Sequence, residues 1–292
     1  MLLRLAPWLF VSMWSTGYIA MKYAAPFAEP FTFLSIRFAL VVAVLAPFIV
    51  AGGFWRIGWR DAAAAVVVGS LLHGVYLGGI FWAIKQGMPA GVAAIIISLQ
   101  PLVSACFVAP LLSERVEFRH WIGLILGLIG AVIVLLPGAK LDSAIIRPDM
   151  LAMSILALAS ITLGTTLQKT WCGHLDVRSS LLPQYMGALL VMAVAACFLE
   201  TREVNWSIQA VGAMAWLVLV LSVGAISLFL MLLKRNEVWR TVILFYLVPP
   251  LTAVTAWVLF DEQLQAVQLA GMGLVIIAML LARPRTGRSV GA

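Results

Sequence analysis

Charge is what this sequence has least of. Only 11% of its 292 residues are Asp, Glu, Lys or Arg, where a water-soluble domain carries about 25%. With 63% hydrophobic residues and a mean hydropathy of +1.07, the chain cannot cover a water-facing surface. Its solvent must mostly be lipid. Acids are scarcer than bases, giving a formal net charge of +7. In a soluble protein that excess would suggest a nucleic-acid partner. Here the basic residues fall in short loops between apolar runs, with no basic helix and no Arg/Lys cluster before the tail. That pattern argues against nucleic acid and for membrane topology.

Cysteine and histidine are nearly absent. Cys106, Cys172 and Cys197 are odd in number, far apart and form no CxxC, so they read as small packing residues. His120 and His174 lie in loops, and only His73 is inside a helix. The chain has no P-loop, no HExxH, no GxSxG and no His/Cys metal spacing. Its acids are scattered singly instead of clustered at one interface. These absences argue against a membrane enzyme and imply neither cofactor nor metal.

Long apolar runs stand in their place. A helix needs about 20 apolar residues to cross roughly 30 Å of hydrocarbon. Ten such runs are present, at roughly 5–23, 31–51, 61–84, 89–111, 118–136, 149–169, 180–199, 208–231, 238–259 and 264–282. The expected fold is an all-α integral membrane protein. Most connections are short. The exception is the polar, Pro-bounded segment PGAKLDSAIIRP at 137–148. It divides the chain into a first five-helix unit at 1–136 and a second at 149–282, with a basic tail at 283–292. No soluble domain fits between them. The first run has the Arg4 and apolar stretch of a signal peptide. Its partner in the second unit is the internal helix 6, and SMWST (12–16) is echoed by TLGTT (162–166). Helix 1 is therefore expected to stay as a permanent span.

Two copies of one stretch link the units. Residues 95–123 align with 243–271 without a gap, at an offset of 148. Seven positions are identical: Ile95/Ile243, Leu99/Leu247, Pro101/Pro249, Ala105/Ala253, Leu111/Leu259, Glu114/Glu262 and Gly123/Gly271. About three would be expected by chance in so apolar a composition. Loop charge sets the orientation. Thirteen Lys and Arg residues fall on the side of the N-terminus; five, Lys22, Lys85, Lys140, Arg147 and Arg202, fall on the other. Both termini are therefore expected in the cytoplasm. Five helices per unit is odd, so sequential copies enter the membrane in opposite directions. This is the inverted repeat common among secondary transporters.

Pro101 and Pro249 occupy one place in that pair, and Pro250 follows the second. Each proline removes a backbone donor and opens its helix one turn upstream. They are expected hinges at a central site, against the bland reading of simple kinks. Ser70, His73, Gly74 and Gly78 share a face of helix 3, with Tyr76 at its edge. A small, polar stripe in lipid must face protein or water, and an intramembrane His is a functional candidate. The alternative is a neutral histidine bonded to a carbonyl in a packed interface. Tyr76 and Tyr246 supply aromatic walls with a hydroxyl, unless they sit at headgroup level. Ser12, Ser15 and Thr16, and Thr162, Thr165 and Thr166, form trios that contact solute or bond back to their own helices. Gln168 and Ser98 are candidates of the same kind.

Arg37 lies about six residues into helix 2. The favoured reading is structural, with its stem snorkelling to the interface. The other reading is a charge facing the bundle and pairing with an acid or a substrate carboxylate. At the equivalent place in the second copy stands Tyr185. Glu114 and Glu262 end helices 4 and 9, where a carboxylate opposes the helix dipole. They read as latches of the fold, with partners expected at the starts of helices 5 and 10. Gly123, Gly127 and Gly130 give helix 5 a small-residue packing face, within a monomer or between the copies of a homodimer.

The segments WSTGYIAMKYA (14–24), FLSIRFAL (33–40) and the run from Phe81 to Val134, with a second copy at 242–282, resemble the EamA family of the drug/metabolite transporter superfamily. Within it the chain is most similar to amino-acid exporters of the YddG type. The resemblance implies a basket of two inverted five-helix halves. Helices 1, 3, 4, 6, 8 and 9 would surround a cavity, with 5 and 10 peripheral. It implies export of small metabolites by alternating access, and it puts Trp14, His73, Tyr76, Ser98, Pro101 and Tyr246 on cavity helices. The match is weaker in helices 6 to 8, which carry Thr162, Thr165 and Gln168. A cavity poor in charge and rich in hydroxyls and aromatics suits amino acids or similar neutral metabolites. Hydrophobic drugs are the alternative substrate, and a non-transporting scaffold the alternative class. With no buried acid near the midplane, His73 is the one obvious proton carrier, and uniport stays open.

Overall fold

The structure is a computed structural model that describes residues 2–24, 26–114, 116–139, 147–260 and 264–282. Glu262, the tail and most of the 137–148 segment lie outside the described residues. In lipid a backbone must satisfy its own hydrogen bonds, so apolar runs become helices. Ten helical segments follow: α1 (Leu2–Ala24), α2 (Pro30–Ala51), α3 (Trp59–Lys85), α4 (Gly91–Leu111) and α5 (Phe118–Ala139). After the long connection come α6 (Pro148–Trp171), α7 (Val177–Leu199), α8 (Ile208–Arg235), α9 and α10 (Ala266–Leu281). The α9 segment has three parts, Val238–Val242, a tighter 3₁₀ turn at Ile243–Leu247, and Val248–Phe260. Eight of the ten, α2 to α9, are long and apolar enough to cross a membrane, and α10 is a shorter apolar helix. There is no β-strand among the described residues; Ala28 and Val204 form one isolated bridge.

Local chemistry sets the helix starts. Pro30 and Pro148 stand in the first turns of α2 and α6, where a missing N–H costs nothing. Asp176 caps α7 by accepting from the Arg178 amide, and Ser207 caps α8 by accepting from Ala210. Gln265 and Gln268 close a capping box on α10.

The packing repeats itself. Helix α1 lies against α8 and α9, while α6 lies against α3 and α4. Helices α2 and α7 pack on each other, as do α5 and α10. Exchanging each helix with the one five places on maps this contact pattern onto itself. A wider, π-helical stretch interrupts α3 at Ser70–Val75 and α8 at Leu217–Ala225, while another in α4, at Ser104–Val108, has ordinary α-helix at its equivalent in α9. Shifted by 148, the first falls on 218–223, inside the second. The prolines of the repeated stretch sit beside backbone breaks. In α4 the helix stops at Ile97 and restarts at Gln100, one residue before Pro101. In α9 the 3₁₀ turn ends two residues before Pro249. Pro101 and Pro249 are buried, and Pro250 is half-buried.

The α5 glycines take one of their two expected readings, and the expected partner of Glu114 needs correction. The glycine face of α5 is covered within the chain. A Cβ on Gly123 would lie 3.0 Å from the Ala278 carbonyl oxygen, and one on Gly130 would lie 2.7 Å from that of Gly271. Gly127 is the seat of the Tyr246 ring. A face filled by α10 and α9 has no room for a second copy. Glu114 also finds its partner elsewhere than the start of α5. Both its oxygens accept from the Val238 amide, at 2.9 and 3.0 Å, so it caps the first turn of α9. On the opposite face Glu200, at the end of α7, accepts from the Phe31 and Thr32 amides and the Thr32 hydroxyl at the start of α2. Each carboxylate thereby satisfies donors on the helix packed beside its own.

The tightest crossing is α3 on α7. A side chain at Gly69 would meet the Gln184 backbone, and one at Gly187 the Val66 carbonyl. Gly69→Ala is expected to push the two helices apart and cost about 1–3 kcal/mol, read as a lower Tm in detergent; an unchanged Tm would show that the crossing tolerates a methyl. Partial burial also pushes the Glu114 carboxyl above the usual carboxylate range, against the pull of the Val238 N–H. The carboxylate is then the costlier form in the folded protein. Its contribution to stability is greatest at low pH and falls as pH rises through the raised value. The Tm of the parent relative to Glu114→Gln, followed from about pH 4 to 7, should decline with rising pH. A difference that grows with pH would contradict this reading.

Candidate functional site

The π-helical stretches of α3 and α8 face a small cavity of about 50 Å³. Helix α3 lines it with Leu72, His73, Tyr76, Leu77 and Ile80. Helix α8 adds Leu217, Leu221, Ser222 and Ile226, α1 adds Trp14 and Gly17, α2 adds Arg37 and Phe38, and α7 adds Tyr185. A π turn inserts an extra residue and rotates the side chains that follow, a device frequent at functional sites. Here the segments carry His73 and Ser222 into the wall.

Arg37, Tyr185 and Ser222 meet in that wall. Arg37 Nε donates to Ser222 Oγ at 3.0 Å. The Tyr185 hydroxyl donates to the Ser222 carbonyl at 2.5 Å. Arg37 and Tyr185 are 148 apart, so the repeat brings equivalent positions of α2 and α7 onto one residue of α8. The Tyr185 ring stacks on His73, with centroids 4.9 Å apart and planes 13° from parallel. His73 Nε2 faces Gln184 Oε1 at 3.4 Å, and Gln184 Nε2 donates to Gln168 Oε1 at 2.9 Å. Because the Gln184 amide nitrogen serves Gln168, its oxygen is the acceptor, and Nε2 of His73 carries the hydrogen. A buried polar line thus runs across α6, α7, α3, α8 and α2. Trp14 closes the other wall. It packs with Phe10, Phe229 and Phe245 at centroid distances of 5.2 to 6.1 Å.

The sequence candidates divide accordingly. His73, Tyr76 and Trp14 lie in the cavity wall, and Gln168 reaches it through Gln184. Thr165 is buried and donates to the Thr162 carbonyl; Thr162 and Thr166 also bond back to their own helix. Ser15 does the same toward Ser12, and Thr16 toward Met13. Thr16 additionally accepts from the Trp216 indole at 2.8 Å, tying α1 to α8. Ser98 bonds to Ala94 and does not line this cavity. Neither does Pro101, which supports the α4 break instead. Tyr246 also turns away: it is fully buried against Gly127, with no partner for its hydroxyl among the described residues.

Arg37 is the clearest departure. It is only 5% exposed and lines the cavity, so its guanidinium points into the bundle instead of snorkelling along its outside. The hydroxyl of Ser222, fixed on a π turn, draws it inward. The helices around this cavity also differ from those expected: α2 and α7 contribute, while α4, α6 and α9 do not. Sequence reasoning missed Gln184, Ser222 and the role of Tyr185. The available signal was their polarity within apolar runs. No cluster of His, Cys, Asp or Glu suited to a metal occurs among the described residues.

The sequence pattern of EamA-like transporters matches residues 6–136 and again 149–283. The chain belongs to the EamA-like transporter family. Its relatives include a probable amino-acid metabolite efflux pump of Salmonella typhimurium, 25% identical over 94% of this chain and 92% of the relative. Another is the uncharacterized inner membrane transporter YedA of Escherichia coli, 21% identical over 92% and 86%. A protein solved by crystallography has the same fold, with a TM-score of 0.78 at 21% identity over 95% of both chains. This EamA-like chain therefore carries its polar line inside a multi-pass transporter fold.

Removing the Ser222 hydroxyl strands a buried guanidinium Nε–H. Ser222→Ala is expected to cost about 1.5–3 kcal/mol, the range for a hydrogen bond to a charged group. Thermal unfolding in detergent checks it, and a loss under about 0.5 kcal/mol would mean that Arg37 re-pairs freely.

Proposed function

We propose that this protein exports amino acids or similar small metabolites across the bacterial inner membrane by alternating access. The observation that carries the proposal is the cavity at the meeting of α1, α2 and α3 with α7 and α8. Its wall is largely aromatic and aliphatic, broken by a few fixed polar groups. That is the make-up of a small-ligand site, at the interface where repeat-built transporters bind solute. The self-mapping contact pattern and the paired π stretches support a reading as two five-helix halves, 1–136 and 149–282, inverted in the membrane. Loop charge supports both termini in the cytoplasm. The Salmonella relative, a probable amino-acid metabolite efflux pump, supports outward transport of amino-acid metabolites.

In this mechanism solute rests against Trp14, Tyr76 and the His73–Tyr185 stack. Access alternates as α4 and α9 flex at the breaks beside Pro101 and beside Pro249 and Pro250. The wall holds no carboxylate, so uniport down a gradient needs no further group.

Counterflow in proteoliposomes, with a panel of radiolabelled amino acids and lipophilic cations, tests the substrate class. Amino-acid exchange is expected; exchange of lipophilic cations alone would replace the proposal with drug export. His73→Ala should lower flux at least about tenfold without loss of folded protein, the scale of one lost buried contact. Pro101→Ala should lower the maximal rate more than it raises KM. A pure KM effect would remove the hinge role.

A further inference from the structure

We propose that Arg37 is the anchor for a carboxylate on the transported solute, so that the cavity selects small monocarboxylates with an apolar or aromatic body. The inference rests on the cavity being the transport site.

A guanidinium is always protonated. Buried at membrane depth, a charge is costly unless something of opposite sign meets it. Arg37 is 5% exposed, and among the described residues it forms no ion pair. Asp and Glu are missing from the cavity wall. What the wall supplies is dipoles: the Ser222 hydroxyl on Nε, and the ring of Phe38 at 5.9 Å from the guanidinium carbon. The group is nevertheless held firmly, because Ser222 is itself fixed by Tyr185. Of the five N–H donors in the planar fork, Ser222 takes one. A fork of this kind matches the two oxygens of a carboxylate. The counter-ion missing among the described residues of the wall is then brought by the cargo.

The same wall limits the rest of the cargo. At the position equivalent to Arg37 stands Tyr185, so a second cation for a dianion or phosphate is not provided. Without an acid in the wall, an ammonium meets only ring faces and hydroxyls. The amine of an amino acid is therefore dispensable, while its carboxylate is not. Trp14, Tyr76 and Leu221 offer apolar surface to the body.

The test uses the full chain, purified and reconstituted, with three ligands of one shape: phenylalanine, 3-phenylpropionate and phenylalaninamide. Each competes in counterflow, and its binding is followed in parallel by thermal shift in detergent. Expected is that 3-phenylpropionate competes at least as well as phenylalanine and that the amide is at least tenfold weaker. Arg37→Gln should weaken both carboxylates at least tenfold and leave the amide unchanged, with Arg37→Lys between. Equal competition by the amide would overturn the inference, as would an Arg37→Gln that is folded and weakens all three alike. If Arg37→Gln does not fold, the ligand series on the parent protein still decides. Flux without carboxylate preference would sink the anchor and leave transport standing. Carboxylate binding that depends on Arg37 without any flux would sink transport and leave the anchor standing.

Discussion

A guanidinium surrounded by apolar helices has to be given partners before those helices can close around it. In this chain the closure depends on Ser222. Its hydroxyl meets Arg37 and its carbonyl meets Tyr185, which joins α2, α7 and α8 at one point. From Tyr185 the order passes by stacking to His73, and from His73 through Gln184 to Gln168. Five helices share that line. The close crossing at Gly69 and Gly187 brings α3 and α7 near enough for the ring stack to form. The π turns present His73 and Ser222 to the cavity. Packing and site are thus one construction, and a change in either is felt in the other.

The carboxylates at the helix ends do comparable work outside the hydrocarbon. Glu114 caps α9, and Glu200 caps α2 on the opposite face. Both sit on the partner of the helix they cap, so each secures a helix pair by way of backbone donors that would otherwise lack acceptors. Lys169 completes the arrangement from the other charge, donating to carbonyls of Leu233 and Asn236 at the end of α8.

The helices were legible in the sequence because apolar length and lipid thickness determine them almost without reference to tertiary contacts. The repeat was legible because its offset survives in rare residues such as Pro101 and Glu114. The site was only partly so. Periodicity shows which residues share a face of a helix, and it grouped His73 with Tyr76 on α3, while the family resemblance put them and Trp14 on cavity helices. It does not show which neighbour covers that face. Tyr246 has the profile of a cavity residue, yet Gly127 offers it a seat on the far side of α9. Arg37 has the profile of a snorkelling residue, yet Ser222 lies within reach inward. That pairing depends on a π turn, which inserts a residue without any signature in the hydrophobic pattern. Glu114 was recognisable as a latch, but its acceptor role toward α9 depends on how α4 and α9 come together.

A transporter made of two matching inverted halves would present the same chamber to either side of the membrane, and its inward and outward strokes would be mirror images. The Arg37 and Tyr185 pair breaks that equivalence at its centre. One half offers a permanent charge where the other offers a neutral phenol, and the counterpart of His73 is Leu221. If solute is held there by its charged end, the two strokes would start from unlike contacts. Gradients still decide the net direction, but the two strokes need no longer have equal rates. On the proposed reading, the difference between Arg37 and Tyr185 would give such a chamber a front and a back.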